Sequence, residues 1–198
     1  FFLPWQNNRE KKYELKSLGT LIKLNSKIFF VTTYHSINYG DKTENIMIDD
    51  DDVEYLLGDP TYVSPEIDIA FFEIKKKCSD DIFEINNIND MNIDINAIKN
   101  DTDFDFIIPF NDNYMSLQCN ILKFSKKKYN NCCYPEMPMF TGKLTDISLA
   151  KIEGDLYKLK GASGTPIYKD DKLFGFLSGI CFKDGTLIIT PIFLVKRI

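Results

Sequence analysis

The chain has 198 residues, 44% of them apolar and 14% aromatic, with 24 Lys and Arg against 29 Asp and Glu, a formal net charge of −5. That composition supplies enough apolar mass for a sizeable core and excludes a chain disordered throughout; no Gly period or sustained heptad points to a fibrous class. Basic residues are outnumbered, so nucleic acid is not expected as the main partner, because phosphate binding rests on clustered Lys and Arg. No run of about 18 apolar residues occurs, so no membrane partner is expected. The start, Phe1-Phe2-Leu3-Pro4-Trp5, is too short for a signal-peptide core and lacks a basic flank. It also lacks an initiator Met, which leaves open a chain trimmed or released from a longer precursor.

In chain order, short runs of Ile, Phe, Val, Leu and Tyr predict strands at Thr20–Leu24, Ile28–Thr32, Ile69–Ile74, Phe104–Phe110, Met115–Phe124, Thr165–Tyr168, Leu173–Ile180 and Thr186–Ile189. Turn chemistry joins neighbours: Asn25-Ser26-Lys27 for the first pair, Lys169–Lys172 and Lys183-Asp184-Gly185 for the last three. Two short helical segments are predicted, at Tyr34–Asn38 and from Pro191 to Ile198. Many short strands with close turns predict an all-β, mostly antiparallel barrel or sandwich. The span Ser79–Asp105 is dense in Asn, Asp and Ile, without Gly or Pro, and its middle reads as the connection between halves 1–95 and 96–198.

The five cysteines (Cys78, Cys119, Cys132, Cys133, Cys181) are odd in number and form no C-x-x-C pair, so neither a zinc site nor a disulfide framework is expected. Free thiols fit an intracellular, reducing compartment, the host cytoplasm if the chain is viral. Asp49–Asp52 is read as a solvated acidic loop rather than a calcium site, and Lys75–Lys77 and Lys126–Lys128 as solvated edge charges.

Three segments stand out. Phe29–Thr33 is an apolar strand running into a turn that delivers His35, the sole histidine, so imidazole acid–base chemistry has one possible bearer. Glu66-Ile67-Asp68-Ile69-Ala70-Phe71-Phe72 sets an acid at the mouth of a buried strand. Gly161-Ala162-Ser163-Gly164-Thr165-Pro166 sets a serine between glycines ahead of another strand. Taken singly, each has a plainer reading, as a structural histidine, a strand cap or a Gly-Ser-Gly turn, and Asp59 and Glu66 stand near enough to replace Asp68.

The order His…Asp…Ser, with V-T-T-x-H, D-I-A-F-F and G-x-S-G-x-P, resembles the trypsin-like (chymotrypsin-fold) serine protease family, in particular its compact viral or bacterial members. The resemblance implies two antiparallel six-stranded β-barrel halves with the active site in the cleft between them. It implies a serine endopeptidase working through an acyl-enzyme on a polypeptide, a viral or bacterial precursor, without cofactor or metal. Ser163 would be the nucleophile, His35 the general base and acid, and Asp68 the carboxylate that fixes the imidazole tautomer. The N–H groups of Gly161 and Ser163 would form the oxyanion hole. Substrate would meet Tyr157 and Lys158 before the nucleophile, and Leu177, Ser178 and Gly179 on the strand after it. A Lys158 turned into the pocket would favour an acidic residue before the cut; turned out, it would leave Tyr157 to line a pocket for apolar or small residues. Ala162 stands where digestive members carry an Asp that pairs with a cut N-terminus, so that activation switch is not expected. A rival reading is an inactive protease-like binding module, although no residue of the triad is lost.

Overall fold

The runs Ile28–Val31 and Ile69–Phe72 are too continuously apolar for a sheet with one wet face, and the computed structural model shows both faces covered. It describes residues 17–24, 26–37, 45–48, 53–75, 83–85, 103–110, 113–125 and 139–195. Strands β1 (Thr20–Leu24) and β2 (Lys27–Thr32) form a hairpin that reverses through Ser26, at φ +66°. Strands β3 (Asn45–Ile48) and β4 (Glu54–Leu57) form a second hairpin. With β5 (Tyr62–Ser64), β6 (Ile69–Ile74) and β7 (Phe83–Ile85), the first hairpin makes a five-stranded sheet in the order β5-β6-β2-β1-β7. One face of that sheet buries Leu21, Phe30, Ala70 and Phe72 against Met47 and Leu57 of the β3–β4 hairpin. The other buries Ile22, Phe29, Val31, Ile69 and Phe71 against Leu173, Phe176 and Ile192 of the C-terminal half.

The C-terminal half is a closed six-stranded barrel, ordered β10-β13-β12-β11-β8-β9. Its strands are β8 (Asp103–Phe110), β9 (Asn113–Ser125), β10 (Met139–Leu144), β11 (Pro166–Lys169), β12 (Lys172–Cys181) and β13 (Thr186–Pro191). Phe104, Phe106, Phe140 and Phe174 fill the interior, with Phe104–Phe174 and Phe140–Phe174 ring centroids 4.6 and 4.9 Å apart. Strand β12 serves two cores: Phe174 and Leu177 face the barrel, while Leu173 and Phe176 face the N-terminal sheet. An irregularity in the β11–β12 register, between Ile167 and Tyr168, lies where this alternation changes phase. A Cβ on Gly175 would stand 2.3 Å from the Thr190 carbonyl, so β13 approaches β12 only because that position has no side chain.

All eight predicted strands are present with small boundary shifts, and the fold is mostly β as expected. In the N-terminal half the described strands form the sheet and the β3–β4 hairpin, so closure of a barrel is seen in the C-terminal half. Strands β3, β4, β5, β7 and β10 and a six-residue helix, α1 (Asp146–Lys151), were not predicted. The helix at Tyr34 is one 3-10 turn, Tyr34–Ser36, and the C-terminal one is Ile192–Leu194. The boundary at 95/96 lies outside the described residues, as do Asp49–Asp52, Lys126–Lys128 and Cys78, Cys132 and Cys133. Cys119 and Cys181 are buried free thiols. Among the described residues, no helix is long and apolar enough to cross a membrane.

Candidate active site

Strands β2 and β6 pair antiparallel, with Thr32 opposite Ala70, so the end of one and the start of the other share an edge of the sheet. Beyond Thr32 the chain turns through Tyr34–Ser36, and the Thr33 and Ser36 hydroxyls, 2.7 Å apart, close that turn. Before Ile69 it turns through Pro65–Ile67 into Asp68, which is left-handed at φ +53°, ψ +50°. The two turns place both carboxylate oxygens of Asp68 on one residue. Oδ1 accepts the His35 backbone N–H at 2.9 Å, and Oδ2 lies 2.8 Å from His35 Nδ1. Asp68 is 3% exposed and the His35 side chain 43%. An ionised carboxylate only accepts hydrogen bonds, so opposite an ionised Asp68 it is Nδ1 that carries the proton, with Nε2 on the far side of the ring. The two other acids considered for this role lie elsewhere: Glu66 is exposed and takes the Ser64 hydroxyl at 3.0 Å, and Asp59 is in an exposed loop.

Ser163 follows a tight turn. Lys160 (φ −63°, ψ 129°) and Gly161 (φ +86°) are its central residues, and the Ala162 N–H closes it on the Leu159 carbonyl at 3.1 Å, a type II geometry that requires positive φ at Gly161. Along this loop the N–H groups alternate in use. Those of Ala162 and Gly164 are bonded, the latter to the Leu177 carbonyl at 2.7 Å; those of Gly161 and Ser163 have no partner among the described residues. The loop hangs on the entry to β1: the Leu18 N–H reaches the carbonyls of Ser163 (2.8 Å) and Gly161 (3.2 Å), and the Thr20 hydroxyl donates to the Gly164 carbonyl at 3.1 Å. The Leu18 carbonyl in turn accepts the hydroxyl of Thr32, three residues before His35, at 2.7 Å. Gly164 has φ +88°, and a Cβ there would stand 2.1 Å from the Leu18 carbonyl oxygen, so this anchoring needs glycine. The Ser163 hydroxyl donates to the Ser178 carbonyl at 3.1 Å, so handing its proton to an imidazole calls for rotation of that hydroxyl.

The predicted substrate contacts divide. Leu177 points into the barrel core, and its N–H and carbonyl are both used. The Ser178 hydroxyl is buried, 2.7 Å from that of Thr190, and Gly179 is buried at an irregularity in the β12–β13 register. The phase of β12 thus turns the Leu177 side chain toward the barrel interior. The Lys158 ammonium lies 2.8 Å from Glu153, and that hydrogen bond holds the Glu153 carboxyl below the ordinary value. Tyr157 is 69% exposed and stacks on Phe182, with centroids 4.7 Å apart and planes 6° from parallel. Phe182 had no signal of its own, since its partner lies 25 residues away in sequence. A groove of about 550 Å³ bounded by Tyr55, Leu57, Phe72 and Ile74 lies toward the far end of β6 from Asp68 and belongs to no part of this site.

This is the chymotrypsin fold of trypsin-like serine proteases. No family model matches the sequence, and no curated protein does. Among solved structures the chain is similar to the HtrA-type protease AlgW with decapeptide (TM-score 0.55, 16% identity), over 82% of this chain and 44% of that one. It is similar also to the Rv3671c protease from M. tuberculosis in its active form (TM-score 0.58, 14% identity), over 88% of this chain and 68% of that one. The inactive form of Rv3671c matches over 88% of this chain and 77% of that one, with TM-score 0.57 and 13% identity. The chain therefore spans less than half of AlgW, and at these identities what is shared is the fold.

Proposed function

We propose that the chain is a serine endopeptidase that cuts polypeptides through an acyl-enzyme. The observation that carries this reading is the buried Asp68 carboxylate, both of whose oxygens engage His35. Nε2 of His35 takes the Ser163 hydroxyl proton as Oγ attacks the scissile carbonyl, then returns it to the leaving amine. Asp68 stabilises the imidazolium formed between those events. The N–H groups of Gly161 and Ser163, free of other partners among the described residues, receive the negative charge on the carbonyl oxygen. Water then repeats the sequence on the ester. A viral or bacterial precursor is the substrate setting that the sequence resemblance implies, and the buried free thiols of Cys119 and Cys181 support a reducing one.

With Lys158 held by Glu153 and the Tyr157 ring exposed, the reading favours an apolar or aromatic residue before the cut over an acidic one. A peptide-library digest tests both parts: cleavage after apolar or aromatic residues by the wild type, and none by Ser163→Ala, is expected. Cleavage after Asp or Glu that Lys158→Ala abolishes would overturn the specificity, and an active Ser163→Ala would overturn the mechanism.

A further inference from the structure

Asp68 is a non-glycine residue in the left-handed region, a conformation that persists only where the surroundings hold it. The peptide plane entering Asp68 carries the Ile67 carbonyl, and that oxygen accepts a hydrogen bond at 2.9 Å from the hydroxyl of Thr190, on β13 of the other half. Thr190 is 3% exposed, so water does not compete for the bond. A hydroxyl has one hydrogen, and that of Thr190 is committed to Ile67. The 2.7 Å contact between the Thr190 and Ser178 hydroxyls must therefore run with Ser178 donating. Ser178 is also the residue whose carbonyl takes the Ser163 hydroxyl. A buried line of hydroxyls thus leads from the residue under the nucleophile to the plane that sets φ of Asp68. The other hold on this plane, Asp68 N–H to the Pro65 carbonyl, is long at 3.3 Å.

We propose that Thr190 is a positioning residue: from the C-terminal barrel it fixes the Ile67–Asp68 peptide plane, and so sets the carboxylate against His35. The proposal rests on the protease reading for its kinetic consequence, but its structural consequence can be read without activity. His35 is the sole histidine, so a low-field proton resonance from Nδ1–H bonded to Asp68 has one possible source.

The experiment compares Thr190→Val, which keeps the shape without the donor, with Thr190→Ser, which keeps the donor. Kinetics, the low-field proton spectrum and thermal unfolding are recorded for each. Thr190→Val is expected to lower kcat about 10- to 100-fold with KM within about twofold, the range for small misplacement of a catalytic group, and to shift or abolish the low-field resonance. Thr190→Ser is expected to restore both. If Thr190→Val does not fold, Thr190→Cys, with a weak donor of similar size, is expected to lower kcat several-fold at unchanged KM. A Thr190→Val or Thr190→Cys protein of lowered stability with wild-type kcat and resonance would overturn the proposal, reducing the bond to an ordinary tie between halves. A wild-type chain that neither cleaves peptides nor reacts with a fluorophosphonate fails the protease reading instead, and the resonance alone then decides whether Thr190 places Asp68.

Discussion

Thr165, two residues after the serine, carries a buried hydroxyl with no hydrogen-bond partner among the described residues, although its N–H and carbonyl are bonded to Ala162 and Leu177. A buried polar group left unmade costs its desolvation, about 1–3 kcal/mol, whereas an apolar group of the same shape does not. Thr165→Val is therefore expected to stabilise the protein by about 1 kcal/mol, measured by urea unfolding; a loss of similar size would show that the hydroxyl is satisfied. At this scale the sequence was most legible where motif and chemistry coincide. His35, Asp68 and Ser163 each sit in a turn or loop next to a strand, and the acid that meets His35 is Asp68, not Asp59 or Glu66. Thr190 and Phe182 were illegible for the opposite reason: one meets Ile67 of the other half across 123 residues and the other meets Tyr157 across two loops, contacts that only the tertiary fold creates.

Continuous apolar runs and regular alternation announce themselves in the sequence, and irregular patterns do not. Strands β2 and β6 read clearly because the sheet lies between the β3–β4 hairpin and the barrel. Strand β4, Glu54-Tyr55-Leu56-Leu57, buries Leu57 alone and leaves Leu56 exposed, so its pattern matches neither helix nor strand. Helix α1 inverts the usual rule. It exposes Ile147 and Leu149 and buries Ser148, whose hydroxyl accepts the Gln118 N–H at 2.6 Å and the Thr145 hydroxyl at 3.1 Å. Thr145 is the N-cap, accepting the Ser148 N–H at 3.3 Å, and its own N–H reaches the Gln118 carbonyl at 3.0 Å. Polar anchoring to β9, not an apolar face, thus holds this helix. Thr145→Ala is expected to cost about 1 kcal/mol, visible as a lower urea midpoint with catalysis intact; an unchanged midpoint would show that packing holds α1 instead.

For the whole molecule, the barrel sets a limit on alkaline stability. Cys119 faces its interior, and burial, with Asp105 and then Asp103 adding, pushes the thiol from 9.0 up to about 12. Tyr168, opposite Asp105 in the β8–β11 register, is raised by burial, then by Asp105 and Asp171. A group whose folded pKa is raised stabilises fully below its unfolded value, and that contribution is lost as pH climbs toward the folded one. Stability should therefore fall between about pH 9 and 12, and Cys119→Val should remove from that slope one proton, at most ~1.4 kcal/mol per pH unit; an unchanged slope would mean that the thiol ionises in the folded state. The two halves meet at the candidate site through Leu18, Thr20 and Thr190, bonds that bring a barrel-borne serine loop to a sheet-borne His–Asp pair. That Ser163 is the nucleophile activated there is the central claim, and labelling with a fluorophosphonate followed by mass mapping tests it most directly. The account predicts a single adduct on Ser163 that His35→Ala suppresses; an adduct on another serine, or undiminished labelling of Ser163 in His35→Ala, would contradict it.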